Sequence, residues 1–190
     1  MTADTGVDGE LTDAQLIAQA RRNPDLFSVV YNRHFRDIYR YVAGRLDVQV
    51  ADDLAAETFL IAFRRRDRFD PERGGLRPWL FGIATNLVAR HRKQEVRHYR
   101  ALARAGVEPD ADSHESQVVT SASAQRLQPQ LAKALTRLTR GERDVLLLMA
   151  LSRLSHEEIA QPLGISYGTV GSRLSRARKK IRALLEGLER

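Results

Sequence analysis

The sequence predicts an all-α protein built as two small helical domains joined by a flexible linker, the C-terminal one a helix-turn-helix. Three observations predict it. Apolar residues recur every three or four positions through most of the 190 residues, strand-like alternation is missing, and the 12 glycines and 6 prolines punctuate the chain sparsely. One internal stretch, 105–126, loses the helical period and fills with small, acidic and hydroxyl residues. The expected layout is a frayed tail over 1–10, a first domain over 11–104, the linker over 105–126 and a second domain over 127–190.

The elements follow in order. Thr12-Asp13-Ala14-Gln15 has the form of a capping box and opens a short first helix. From Asp25 to about Leu46, the positions Phe27, Val30, Tyr31, Phe35, Ile38, Tyr39 and Val42 put one apolar face on a second helix. The next, roughly Val50 to Arg65, buries Leu54, Thr58, Ile61 and Ala62 and leaves Asp53, Glu57 and Arg64 on another stripe. RRDRFDPERGGLRP reads as a loop, and Pro78 suits the first turn of a long helix with Leu80, Ile83, Ala84, Leu87, Val88 and His91 inward. Trp79 begins that apolar face and reads as core. Asn86, Arg90, Lys93 and Arg97, spaced four, three and four apart, are expected to align as one polar, basic stripe.

Beyond the linker, Leu127, Leu131, Leu135 and Leu138 mark a helix, and Thr139-Arg140-Gly141-Glu142 is a capping box for another. Ser155-His156-Glu157-Glu158 is a further box, Gly164 supplies a turn, and Ser166 can cap a last helix that buries Val170, Leu174, Ala177, Ile181 and Leu184. A short helix, a tight turn and a longer helix describe a helix-turn-helix. The opposite side of its second helix, with Tyr167, Thr169, Gly171, Ser172, Arg173, Ser175, Arg176, Lys179 and Lys180, is free to enter a major groove. Between Ser172 and Arg182 every charged residue is basic, which suits phosphate neutralisation; a charge run alone would read as a solvated face.

Composition limits the function classes. Lys and Arg number 31 against 24 Asp and Glu, a formal charge of +7 that favours a polyanionic partner, nucleic acid or an anionic surface. No apolar run approaches the roughly 20 residues of a membrane span, and the first residues lack the order of a signal peptide, so a cytoplasmic protein without membrane insertion is expected. Without cysteine there is no disulfide or thiolate metal site, and no cofactor or metal is expected. His156-Glu157-Glu158 does not make a zinc protease motif, because the second histidine would fall at Ala160. No phosphate loop, nucleophile elbow or catalytic carboxylate pair is present, and no catalytic residue or enzyme activity is expected.

LTRGERDVLLLMALSRLSHEEIAQPLGISYGTVGSRLSRARKKIRALL resembles the fourth conserved region of bacterial sigma factors. DDLAAETFLIAFRR followed by RPWLFGIATNLVARHRK resembles their second region. Their order and the short link between them resemble the extracytoplasmic-function (ECF) group of the sigma-70 family, over about Leu16 to Arg104 and Leu127 to Leu185. The resemblance implies a subunit that binds the RNA polymerase core enzyme, recognises promoter DNA at its −35 and −10 elements and nucleates strand opening, with an anti-sigma factor as a further partner.

By the same resemblance Asp52, Asp53 and Glu57 would dock on polymerase; the bland reading of Asp52 and Asp53 is helix N-terminus electrostatics. The loop Arg66 to Leu76, with Arg68, would hold an unstacked base, and Asn86, Arg90, Lys93 and Arg97 would act at the melting junction of the −10 element. Tyr167, Thr169, Ser172, Arg173, Arg176, Lys179 and Lys180 would read the −35 box. The chain departs from the family pattern at Arg153, where glycine is common, at Gly171, at Ser175 and at Pro162. Two rivals are an autonomous helix-turn-helix regulator, which would need a sensor or dimerisation domain, and a recombinase or transposase, which would need a catalytic serine or carboxylate set.

Overall fold

Short-range capping sets where the helices begin. In the computed structural model, which describes residues 11–104 and 122–186, α1 (Asp13–Ala20) starts with the Thr12 hydroxyl accepting from the Gln15 amide while the Gln15 side chain returns to the Thr12 amide. α2 (Phe27–Ala43) and α3 (Val48–Arg64) are joined by a short turn and fold back on each other. The Asp47 carboxylate caps α3 by accepting from the Val50 amide at 3.1 Å. Val30, Ile38 and Val42 of α2 meet Leu54, Phe59 and Ala62 of α3 in a solvent-free core, each large apolar side chain contributing about 1.5–3 kcal/mol.

The loop after α3 makes single 3₁₀ turns at Arg66–Arg68 and Pro71–Arg73 and then crosses Gly74 at φ 152°, a backbone setting that favours glycine. It is tied to α1: Arg66 Nε donates to the Ala20 carbonyl at 3.1 Å and an Arg21 guanidinium N–H to the Phe69 carbonyl at 2.7 Å. α4 (Leu76–Arg90) follows, with Leu80, Phe81, Ala84, Leu87 and Val88 buried. Trp79 is half-buried against this core, its ring 5.4 Å from Phe69.

The long helix expected to run past Arg97 is broken. α4 starts two residues before Pro78 and ends at Arg90, and α5 (Arg92–Arg104) begins after a turn at His91, whose φ −93° and ψ 22° leave the helical basin. There the His91 carbonyl accepts from the amides of Gln94 and Glu95 and its ring pairs with the Gln94 side chain, so His91 closes one helix and starts the next. The single stripe is thereby divided: Asn86 and Arg90 stand on α4, Lys93 and Arg97 on α5.

In the second half, α6 (Ala122–Thr136) begins inside the stretch expected to be linker; the rest of that stretch and the expected tail lie outside the described residues. Leu135 and Leu138 are buried, whereas Leu131 is exposed. α7 (Arg140–Ser152) and α8 (His156–Leu163) open with the capping boxes of Thr139 and Ser155. α9 (Tyr167–Glu186) packs Val170, Leu174 and Ala177 against Val145, Leu148 and Ile159. Between α7 and α8 the chain turns at Arg153 with φ 54°, a left-handed setting that glycine adopts most readily. The buried apolar residues of both halves, Ala132 and Ala134 aside, belong to one continuous cluster, and α2 meets α7, α4 meets α8, and α5 meets α6.

Candidate nucleic-acid interface

The helix-turn-helix is assembled from local signals. The Ser155 hydroxyl accepts from the Glu158 amide, Gly164 ends α8 in the left-handed region at φ 62°, and the Ser166 hydroxyl accepts from the Thr169 amide at 3.2 Å to start α9. With Val170, Leu174 and Ala177 buried, helical periodicity turns Ser172, Arg176, Lys179 and Lys180 to solvent. Tyr167 is exposed at the tip of α9, its ring 5.4 Å from His156.

Not every predicted reader is unengaged. Thr169 and Ser172 are partly committed to the start of α9: their hydroxyls pair with Ser166 and donate to the Thr169 carbonyl, respectively. Arg173 is half-buried with its guanidinium against Gly141, so closely that an alanine Cβ there would stand 2.9 Å from Cζ. Lys180 donates to both oxygens of the buried Glu142 carboxylate at 2.7 and 3.0 Å, and Arg176 approaches it at 3.9 Å. Burial would raise the Glu142 carboxyl, but the Lys180 hydrogen bond and the Thr139 amide and hydroxyl outweigh it and hold it below the usual carboxylate range. Glu142 therefore does two jobs, capping α7 and orienting the basic face of α9. Its four-residue capping-box signal was legible in the sequence, but its pairing with α9 was not.

In the first half, Arg68 and Asn86 are exposed on the loop and on α4, and Arg90, Lys93 and Arg97 are exposed across the α4–α5 break. Arg68, Phe69, Arg73 and Trp79 line a cleft of about 300 Å³, which Gln161 and Pro162 of α8 close on one side. On α3, Asp53, Leu60 and Arg64 are exposed and Glu57 is half-buried, one stripe at helical spacing. Asp52 is exposed beside it. Since α3 starts at Val48 under the Asp47 cap, Asp52 and Asp53 stand in the second turn, beyond the reach of a first-turn helix-dipole role.

Sequence reasoning missed a buried charge cluster. Arg45 donates to Glu95 at 2.7 Å, to Asp144 at 2.6 Å and to the Tyr41 hydroxyl at 2.6 Å, and Arg143 donates to Glu95 at 3.0 Å. Burial by itself would lower the Arg45 pKa, but Tyr41, Asp144 and Glu95 outweigh it and hold the guanidinium well above its ordinary value. Tyr41 and Tyr99 are raised, mainly by burial. Charged residues scattered over α5, α7 and the turn after α2 carry no sequence signal of a common site.

A basic-faced helix-turn-helix docked on a second helical unit with its own exposed cations defines a DNA-binding transcription protein. Family models refine this: residues 30–98 match Sigma-70 region 2 and residues 129–181 match Sigma-70, region 4. The chain is 34% identical over 189 residues to the ECF RNA polymerase sigma factor SigC of Mycobacterium tuberculosis, covering 96% of this chain and 95% of that one. Its fold is similar to that of CnrH in complex with the cytosolic domain of CnrY (TM-score 0.66, 28% identity, 92% of this chain and 97% of that one). It is also similar to the sigma factor RpoE in complex with the anti-sigma factor NepR from Bartonella quintana (TM-score 0.56, 25% identity, 88% and 98% covered). The chain belongs to the ECF group of the sigma-70 family and is an RNA polymerase sigma factor, a transcription initiation factor. An autonomous regulator is not favoured, because both halves match sigma regions. Among the described residues no helix is long and apolar enough to cross a membrane.

Proposed function

We propose that the two halves divide the work of promoter recognition, in the cytoplasm and without covalent chemistry by this chain. α9 reads the −35 box with the exposed cations Arg176 and Lys179 and with Tyr167 at the tip, while Arg173, Thr169, Ser172 and Lys180 position the helix and meet phosphates. The observation that carries this reading is the orientation of α9, with Val170, Leu174 and Ala177 sealed inward and a basic face left outward.

The first half acts at the −10 element. Arg68 and the cleft beside Phe69 and Trp79 receive an unstacked base, Asn86 stands at the junction, and Arg90, Lys93 and Arg97 follow the backbone. Unstacking costs a few kcal/mol per step, roughly what base capture and phosphate contacts return. The acidic stripe of Asp53 and Glu57, with Asp52 beside it and Leu60 exposed one turn further on, docks on a basic surface of core polymerase. The solved complexes of CnrH and RpoE support an anti-sigma factor as a further partner.

Run-off transcription with purified core enzyme on genomic fragments tests the reading. Specific transcripts that require this chain are expected; binding to the same fragments without core enzyme, and no transcripts with it, would overturn it.

A further inference from the structure

The loop between α3 and α4 is shaped locally by single 3₁₀ turns. The amides of Arg68 and Phe69 donate to the carbonyls of Arg65 and Arg66 at 2.8 and 3.3 Å, and those of Arg73 and Gly74 to Asp70 and Pro71 at 3.2 and 3.3 Å. Isolated turns of this kind open readily unless something outside them fixes their shape. Two arginines do so here. Arg21, the residue that ends α1, sends one guanidinium N–H to the Phe69 carbonyl at 2.7 Å and its Nε–H to the Arg66 carbonyl at 3.4 Å. Arg66 reciprocates: its Nε–H donates to the Ala20 carbonyl at 3.1 Å and Nη1 to the Phe63 carbonyl at 2.7 Å, with the guanidinium 4.2 Å from the Phe63 ring. Ala20 and Phe63 stand in the last turns of α1 and α3, where carbonyls lack a partner within the helix and the dipole favours a cation. One guanidinium thus joins two helix ends to the start of the loop.

α1 is itself firmly seated. Leu16, Ile17 and Ala20 are buried, and at its other end Asp13 pairs with Arg33 at 2.8 Å and with the His34 ring at 2.9 Å, both on α2. The helix therefore reaches from α2 to the loop as a strut. Neither Arg21 nor Arg66 lines the cleft, whereas Phe69 and its chain neighbours Arg68 and Asp70 do. Phe69 is buried with its ring against Trp79, and its carbonyl is the atom that Arg21 holds. A shift there would re-aim all three lining residues. Arg21 is separated from its loop partners by 45 and 48 residues and precedes residue 30, where the match to Sigma-70 region 2 begins.

We propose that Arg21 and Arg66 are positioning residues of strand opening: they tie the loop of Phe69 to the ends of α1 and α3, so that the cleft is shaped for an unstacked base before DNA arrives. The proposal rests on the reading of that cleft as the base-receiving site. A cleft ordered during folding leaves the binding free energy of the captured base for unstacking, and none of it is spent on arranging the loop. α1, which touches no base, thereby becomes part of the strand-opening unit.

Arg21→Met tests this in the full chain assembled with core enzyme, on two forms of one genomic fragment that yields a run-off transcript. One form is fully paired, and the other carries mismatches just upstream of the start site, so that its strands are already apart. Transcripts from the paired form are expected to fall by about five-fold or more, with the permanganate reactivity of thymines near the start site falling in step, while the mismatched form stays within about two-fold. Arg21→Lys should recover part of the loss, since an ammonium reaches the Phe69 carbonyl but lacks the fork that holds two carbonyls. Hydrogen exchange of the chain, followed by mass spectrometry, should be about five-fold or more faster over residues 66–75 in Arg21→Met and unchanged over α2 and α9. If Arg21→Met loses helicity by circular dichroism, Arg21→Gln, polar but too short to reach the loop, carries the same measurements. Unchanged exchange over the loop, equal losses on the two templates, or wild-type transcription from the paired one would each overturn the proposal. Absence of any core-dependent transcript with the wild-type chain would instead overturn the functional reading, while the exchange rates report on the tether alone.

Discussion

Arg45 and Asp144 are 99 residues apart in sequence and 2.6 Å apart in space, and neither is more than 4% exposed. Arg45 is the centre of the buried charge cluster, an ionic seam between the two halves, with Glu95, Asp144 and Tyr41 all accepting from it. Arg45→Met removes the guanidinium and keeps most of the bulk, leaving two carboxylates with Arg143 and Arg140 as their remaining cations. The expected loss is about 3–5 kcal/mol of stability in urea unfolding, because a buried pair broken from one side leaves uncompensated charge. A loss under about 1 kcal/mol would mean that the seam is hydrated in solution.

His98 gives the chain an acid-sensitive limb. Burial is the main cause of its lowered pKa, partly opposed by Asp47 and Glu95. The unfolded chain, with the ordinary value of 6.5, therefore binds a proton that the folded chain resists. Stability from this group is complete above that value and declines as the pH falls below it. His98→Gln should flatten the dependence of stability on pH between about 7 and 5, checked by urea midpoints across that range. Parallel pH curves for the two proteins would refute it.

Arg153 holds a left-handed backbone setting that glycine adopts without penalty. Arg153→Gly is expected to raise stability by about 0.5–1 kcal/mol, the relief of strain exceeding the added freedom of the unfolded chain. Thermal unfolding measures it, and a lower melting temperature would show that the Arg153 side chain makes a compensating contact.

Arg176, mostly exposed at the edge of the Glu142 pair, is the test of α9 as reader. Arg176→Ala should weaken binding to the upstream box by about 1–3 kcal/mol if it reads a guanine, and less, evenly across sequences, if it meets phosphate. Titrating matched and mismatched duplexes separates the two, and wild-type transcription from the cognate promoter would remove Arg176 from the interface.

Glu57→Lys reverses one charge on the exposed stripe of α3 without touching the core residues Leu54 and Phe59. Polymerase affinity should fall while circular dichroism stays unchanged. Co-purification with core enzyme at the wild-type level would place docking elsewhere.

The sequence alone determined where most helices start and stop and which face of each is apolar. The caps at Thr12, Thr139, Ser155 and Ser166 and the turn at Gly164 join residues no more than four apart, so a short window contains both partners. The helix boundaries of the helix-turn-helix come from such windows, and that is why the outward basic side of α9 was legible, although its pairing with Glu142, 38 residues away from Lys180, was not. Only the tertiary structure decided the break at His91, where the chain turns so that α5 can carry Glu95 inward, and the docking of one half on the other. The partners of the seam are separated by 48, 50 and 99 residues, and an arginine or glutamate in a helix reads as solvated until its opposite charge arrives from elsewhere. Gly82 and Pro162 show the same limit in steric form: each is an ordinary small or rigid residue in its own helix, and their meaning comes from the contact between helices that chain connectivity does not specify.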